Sequence, residues 1–146
     1  MVAEEFKRIM EAEGNRVNVH HIMEAKPKDL PQADMYIFGS PTRMGKPTGA
    51  MVRFVKKVNL PPGTRYAIFG TFGSAVPDKK TGVMPSEEEM EKWRRTIPML
   101  DERLKAKGMT KVAEMKVFVK PDTLKGPLEE GWQGIVEAFA AEILGR

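Results

Sequence analysis

Cysteine is absent from the 146-residue sequence. Its absence excludes disulfides, thiolate metal sites, iron–sulfur clusters and a thiol nucleophile. Long apolar runs are missing too, because no stretch approaches the roughly 20 apolar residues that span a bilayer. The first residues also lack the apolar segment of a secretory signal. These absences predict a cytoplasmic protein that makes no use of sulfur chemistry or of a membrane.

Neither sign of charge dominates the sequence. It has 24 Lys and Arg residues against 20 Asp and Glu residues, for a net charge of +4. The basic residues are scattered and are not interleaved with aromatics, which favours a solvated surface over a nucleic-acid footprint. A chain of this length, with 41% hydrophobic residues, is expected to fold as a single domain over residues 1–146.

The stretch from Asp34 to Val58 organises the rest of the chain. Its apolar run Met35–Phe38, closed by Gly39, predicts a buried strand. A turn rich in glycine, proline and hydroxyl groups follows, and Thr48 is the predicted N-cap of an amphipathic helix. Open α/β sheets place ligands in loops that join the carboxyl end of a strand to a helix. This loop is therefore the candidate site.

Periodicity predicts the remaining elements. Helices are predicted over Val2–Glu13, from Ser86 to about Lys107, and from Pro127 or Leu128 to Leu144, with strands over Arg16–Ile22, Arg65–Gly70 and Lys111–Val119. Pro98 is expected to kink or split the second of these helices. The loop Val76–Pro85 is longer than most loops in compact domains. Such loops are often functional lids or simply mobile. The alternation of strands and helices predicts a three-layer α/β fold with a mostly parallel sheet.

Two strand ends resemble the flavin-binding loops of flavodoxins. Asp34 to Arg43 (DMYIFGSPTR) is similar to the family's third strand and second flavin-binding loop, and Phe69 to Ser74 (FGTFGS) to its fourth strand and third loop. The first helix and the residues after it also resemble the family, so the likeness covers nearly the whole chain. It is nearest to domains of the quinone-reductase and flavoprotein-oxidase kind. The resemblance implies a flavodoxin-like sheet, FMN binding and electron transfer.

By this resemblance, FMN would lie between two loops. The first comprises Ser40, Pro41, Thr42, Arg43, Met44, Gly45 and Lys46, and the second comprises Thr71, Phe72, Gly73 and Ser74. Met44 and Phe72 are the expected apolar cover of the flavin ring. Arg43 or Lys46 is either a partner of the reduced, anionic flavin or an ordinary solvated charge. No catalytic side chain is predicted, because the flavin supplies the redox chemistry.

The family's first strand and its phosphate loop have no counterpart in the sequence, which therefore supplies four strands. Loss of a central strand leaves a gap of roughly 10 Å, since neighbouring strands lie about 4.8 Å apart. The preferred explanation is an N-terminally truncated reading of a longer gene. Alternatively, Val17–Ile22 pairs directly with Met35–Phe38, or another chain supplies the strand. Without the phosphate loop, FMN binding is expected to be weakened or lost.

Other candidate sites are weaker. His20 and His21 face opposite ways on the predicted strand, so no metal site is predicted. Trp93 and Trp132 are interpreted as core residues of helix faces. The predicted function is that of an FMN-binding electron carrier or FMN-dependent oxidoreductase, acting with a redox partner protein or a small-molecule electron acceptor. The alternative is a flavodoxin-like module that no longer binds FMN and is an interaction partner or a gene fragment. The sequence does not determine the oligomeric state, and a homo-oligomer is one possibility.

Overall fold

Helices and strands alternate along most of the chain, which a computed structural model describes over residues 1–120 and 127–146. The elements, in order, are α1 (Val2–Ala12), β1 (Tyr36–Arg43), β2 (Lys46–Pro47), α2 (Gly49–Lys57), β3 (Arg65–Gly73), α3 (Glu87–Trp93), α4 (Thr96–Ala106), β4 (Thr110–Val119) and α5 (Trp132–Ile143). Among the helices of these described ranges, none has both the length and the apolar character needed to cross a bilayer.

The sheet has the strand order β2-β1-β3-β4. The three long strands β1, β3 and β4 are parallel, and β2 is a short antiparallel strand paired with the end of β1. Ser40 lies opposite Gly70, and Pro41 lies opposite Thr71. The carboxyl ends of β1 and β3 therefore meet at one edge of the sheet. This arrangement confirms the mostly parallel sheet expected from the sequence.

Helices cover both faces of the sheet, so the predicted three-layer fold is confirmed. One core cluster, the α2/α4 core, contains Tyr66 and Ile68 of β3 together with side chains of α2 and α4. The other, the α1/α5 core, contains Ala67 of β3 with side chains of α1 and α5. Successive residues of β3 thus point to opposite faces, as the pleat of a strand requires.

The predicted helix starts and several element bounds are confirmed. Thr48 Oγ1 accepts a hydrogen bond from the Met51 N–H at 3.2 Å, and Ser86 Oγ accepts one from the Glu89 N–H at 3.2 Å. These caps satisfy backbone donors at the starts of α2 and α3. The helix at the N-terminus, the strand ending at Val119 and the loop over residues 76–85 are also where the sequence predicts them.

The strand predicted over Arg16–Ile22 is wrong. The segment contains neither helix nor strand, and the fourth strand of the sheet is β2. The carbonyl of His21 instead accepts hydrogen bonds from the N–H groups of Glu24 and Ala25, at 2.9 and 3.0 Å, in a turn. The alternative in which Val17–Ile22 pairs directly with Met35–Phe38 is therefore not observed. Apolar alternation is not sufficient for a strand, because a strand also needs a neighbour to satisfy its backbone groups.

Four other boundaries differ from prediction. The long helix is interrupted at Arg94 and Arg95, not at Pro98, which lies in the first turn of α4. A proline is tolerated there because the first N–H groups of a helix have no intrahelical acceptor. The last helix begins only at Trp132, after Gly131 with φ 84°. Both β1 and β3 continue beyond the glycines that were predicted to end them.

A buried polar network joins β3, α4 and β4. The Tyr66 hydroxyl donates to Asp101 Oδ1 at 3.0 Å, and Lys111 Nζ donates to Asp101 Oδ2 at 2.6 Å and to Glu114 Oε1 at 2.5 Å. Burial, with the hydrogen bond to Asp101, raises the pKa of Tyr66 well above its usual range. Burial alone would lower the pKa of Lys111, but its bonds to the two carboxylates raise it on balance.

We expect the network to make the fold sensitive to alkali. Tyr66 ionises near its ordinary pKa of 10.0 in the unfolded chain but remains protonated in the folded one. Its contribution to the free energy of unfolding is therefore fully present below about pH 10 and is lost as pH rises further, and Lys111 acts in the same direction. The melting temperature of Tyr66→Phe, measured from about pH 9 to about pH 11, should fall less steeply than that of the wild type.

Tyr36→Phe is the matched control. The Tyr36 hydroxyl lies outside the network and donates to the carbonyl of Pro31 at 2.6 Å, so this variant controls for the loss of a tyrosine hydroxyl elsewhere in the fold. Equal slopes for Tyr66→Phe and the wild type would contradict the assignment.

Candidate functional site

A cleft of about 500 Å³ opens where β1 and β3 end. We call it the strand-end cleft. Its lining residues are Thr42, Met44, Gly45, Phe72, Gly73, Ser74, Ala75, Val76, Pro85, Met90, Trp93 and Arg94. They come from the connection between β1 and β2, from the end of β3 and the loop that follows it, and from α3. The cleft thus lies between the two segments that the sequence analysis singled out.

The first wall of the cleft is a tight hairpin. Met44 and Gly45 join β1 to β2 with φ angles of 52° and 78°, and the flanking pair Arg43 and Lys46 is in register. Positive φ at both central residues is the geometry of a type I′ turn, which matches the twist of the strands. Met44 is strained in this conformation. Its side chain is 84% exposed at the mouth of the cleft.

The hairpin is fixed to the break between α3 and α4. The carbonyl of Gly45 accepts a hydrogen bond from the Arg95 N–H at 2.5 Å. A Cβ atom added to Gly45 would lie only 2.2 Å from the carbonyl oxygen of Trp93. Glycine is therefore required here both for its positive φ and for this close approach. These contacts hold the hairpin against the end of α3, which forms the third wall of the cleft.

The second wall follows β3 and is tied to the end of β4. The Ser74 N–H donates to the Val119 carbonyl at 3.0 Å, and the Ser74 hydroxyl lies 2.6 Å from both that carbonyl and Glu129 Oε1. Within residues 1–120 and 127–146, the N–H groups of Ala75 and Val76 donate to no protein acceptor. Both residues line the cleft.

The third wall is the end of α3. Trp93 is 53% exposed and lines the cleft, so its interpretation as a core residue is wrong. Met90, one turn earlier, lines the cleft beside it. Trp132, by contrast, packs against the α1/α5 core as predicted. The wall offers a large aromatic surface to whatever occupies the cleft.

Arg94 is the one charged side chain among the lining residues in the described part of the chain. It is only 5% exposed. Its Cζ atom lies 4.6 Å from the ring centroid of Phe118 and 5.9 Å from that of Phe72. Its Nε and Nη1 atoms have no hydrogen-bond partner among the described residues. The cleft therefore borders a buried guanidinium group with unused donors.

Glu87 does not neutralise Arg94. Its Oε2 atom lies 3.8 Å from Arg94 Nη1, and its side chain is 82% exposed. That separation is too long for a hydrogen bond. A carboxylate so well solvated also contributes little to an ion pair.

The structure brings together six of the residues that the resemblance implies: Thr42, Met44, Gly45, Phe72, Gly73 and Ser74 line the cleft. The other five do not line it: Ser40, Pro41, Arg43, Lys46 and Thr71. Ser40 is 2% exposed, and its hydroxyl accepts from the Thr48 N–H at 3.3 Å and donates to the Pro41 carbonyl at 2.8 Å. It therefore joins the end of β1 to the start of α2. Arg43 and Lys46 are exposed on the hairpin.

The sequence analysis missed the whole contribution of α3 to the site, together with Ala75, Val76 and Pro85. A usable signal was present in Met90 and Trp93, which are three residues apart and therefore share one face of a helix. Arg94 gave no comparable signal, because an arginine beside Arg95 at the end of a charged helix resembles any solvated charge.

The cleft fits the ring of a flavin. It combines an aromatic surface at Trp93, amide donors at Ala75 and Val76, and glycines that permit close backbone approach. Among the described residues, no cluster of three or more His, Asp or Glu side chains is placed to hold a metal ion.

We expect Gly45→Ala to lower the free energy of unfolding by about 2 kcal/mol or more, because the methyl group meets the Trp93 carbonyl and the residue keeps a positive φ. Gly73→Ala is the matched control, since an added Cβ there has no neighbour within 4 Å. It should change stability by less than about 0.5 kcal/mol. Chemical denaturation of both variants measures the difference. Equal stability losses would show that the hairpin contact is unimportant.

Comparison with known proteins gives one informative match. The family model described as Flavodoxin matches residues 1–132. The match begins before α1 and reaches the first residue of α5, so it includes every segment that lines the strand-end cleft. No curated protein matches the chain.

Proposed function

Because the chain belongs to the flavodoxin family, whose members bind FMN and transfer electrons, we propose that it holds FMN in the strand-end cleft and acts as an electron carrier or an oxidoreductase. One observation carries the proposal: the two segments that resemble flavin-binding loops end side by side and enclose a single cleft. This is the edge at which open α/β sheets bind ligands. When bound, FMN accepts and releases the electrons, while the protein supplies binding, orientation and electrostatics.

The lining residues have distinct roles in this proposal. Trp93 and Met90 cover one face of the ring with aromatic and apolar surface. The N–H groups of Ala75 and Val76 donate to the polar edge of the ring, since they donate to no acceptor in the described chain. Gly73 leaves room for the ring to approach the backbone, because no atom lies within 4 Å of the position of a Cβ.

The loop from Val76 to Pro85 forms the rim at which electrons leave or enter. Both of its end residues line the cleft. At its centre, Asp78 Oδ1 accepts hydrogen bonds from the N–H groups of Lys80 and Thr81 at 2.8 and 3.0 Å, which lowers the pKa of Asp78. The rim therefore has a turn with internal hydrogen bonds, and a redox partner protein or a small-molecule acceptor would meet the flavin beside it.

Titration with FMN tests the proposal. Flavin fluorescence anisotropy should rise saturably on addition of the protein, and Trp93→Ala should raise the dissociation constant roughly three- to tenfold, since a good aromatic contact is worth about 0.5–1.5 kcal/mol. Trp132→Ala is the matched control, because Trp132 does not line the cleft, and a folded Trp132→Ala should bind as the wild type does.

Two results would contradict the proposal. Equal weakening by both tryptophan variants would place the ring elsewhere. A folded wild-type protein that leaves the anisotropy of FMN unchanged would favour the alternative function, a flavodoxin-like module that acts as an interaction partner without FMN.

A further inference from the structure

Arg94 is a buried cation without a hydrogen-bonded carboxylate among the described residues, where Glu87 Oε2 lies 3.8 Å from its Nη1 atom. A buried guanidinium group normally pairs with a carboxylate or uses its N–H donors on nearby carbonyls. Arg94 is 5% exposed, and its Nε and Nη1 atoms have no partner among the described residues. Leaving such groups unpaired costs stability. A buried cation of this kind at a cleft therefore suits a negatively charged ligand.

The aromatic rings beside Arg94 account for only part of its environment. The closer of them, Phe118, has its ring centroid 4.6 Å from Arg94 Cζ. Such a contact stabilises the charge by about 0.5–2 kcal/mol. It does not provide a hydrogen-bond acceptor for Nε and Nη1, which have no partner among the described residues.

Two carboxylates of a neighbouring cavity have lysine partners. A second cavity, of about 470 Å³, also borders Arg94 and has several acidic residues in its lining. There, Glu91 accepts from Lys116 Nζ at 2.7 Å, and Asp101 accepts from Lys111 Nζ at 2.6 Å. Glu91 and Asp101 therefore pair with lysines and Glu87 is solvated, so none of these three gives Arg94 a buried counterion. Since Arg94 lines the strand-end cleft, its positive charge acts there.

We infer that Arg94 stabilises the negative charge of the reduced flavin and thereby raises the reduction potential of the bound FMN. The inference rests on the proposed function. On reduction, the oxidised ring takes up two electrons from the donor and one proton from solvent, so its charge becomes more negative by one unit. An arginine is always protonated. A buried positive charge interacts far more strongly with that added charge than a solvated one does.

The exposed basic residues of the hairpin are poor alternatives. Arg43 and Lys46 were weighed for this role in the sequence analysis, but both are exposed, and neither lines the cleft. Solvent and salt screen charges in such positions. They also provide the control for the experiment.

Anaerobic titration of FMN-loaded protein against a reference dye, with dithionite as the reductant, tests the inference. Arg94→Met keeps an unbranched side chain and removes its charge. It should raise the ratio of the dissociation constants of reduced and oxidised FMN about tenfold, which lowers a two-electron potential by about 30 mV. Arg94→Lys should retain most of the wild-type potential. Arg43→Met should not change it.

Each result bears on a separate claim. A folded Arg94→Met, or Arg94→Gln if the methionine variant does not fold, that keeps the wild-type potential would overturn the inference and leave the proposed function intact. A fall in Arg94→Lys as large as in the neutral variants would also overturn it, because packing and not charge would then be responsible. A folded wild-type protein that does not bind FMN would overturn the proposed function first.

Discussion

The parallel pairing of β1 with β3 is the constraint on which the rest of the structure depends. With Ser40 opposite Gly70, both strands end at the same edge of the sheet. Side chains on both faces of β3 hold the pairing, since Tyr66 and Ala67 are fully buried in opposite cores. A shift by one residue would exchange those faces. The hairpin and the loop after β3 share one cleft only in this register.

The break between α3 and α4 gives the cleft its third wall. A continuous helix would use the N–H of Arg95 on a carbonyl of its own preceding turn. Here that N–H donates to the Gly45 carbonyl, 2.5 Å away. The backbone donor released by the break thus fastens the hairpin to α3. Through this contact, residues far apart in the sequence form two walls of one cleft.

Local signals in the sequence predicted much of the fold. The apolar runs Met35–Phe38 and Arg65–Gly70 and the caps Thr48 and Ser86 depend on neighbours close in sequence, and all four are confirmed. The strand predicted over Arg16–Ile22 failed because strands also require a partner that a local pattern does not reveal.

Long-range contacts explain the other misses. Gly39 was predicted to end its strand, but a Cβ there would lie 2.1 Å from the ring of Phe69, so this glycine serves close packing inside the sheet. Trp93 was interpreted as a core residue of a helix face. In one continuous helix it would share a face with Ile97 and Leu100. The break at Arg94 and Arg95 turns it into the cleft. The apolar periodicity of the sequence does not predict this break, because the Gly45 carbonyl that stabilises it is distant in sequence.

Backbone amide chemical shifts, recorded as FMN is added to the labelled protein, test the central claim most directly. If the cleft holds the flavin ring, the largest changes will be at Gly45, Ala75 and Val76 and at the indole N–H of Trp93. Tyr36 and Arg65, at the opposite ends of β1 and β3, will remain unchanged. Changes centred on those two residues, or none anywhere at saturating FMN, would contradict the account.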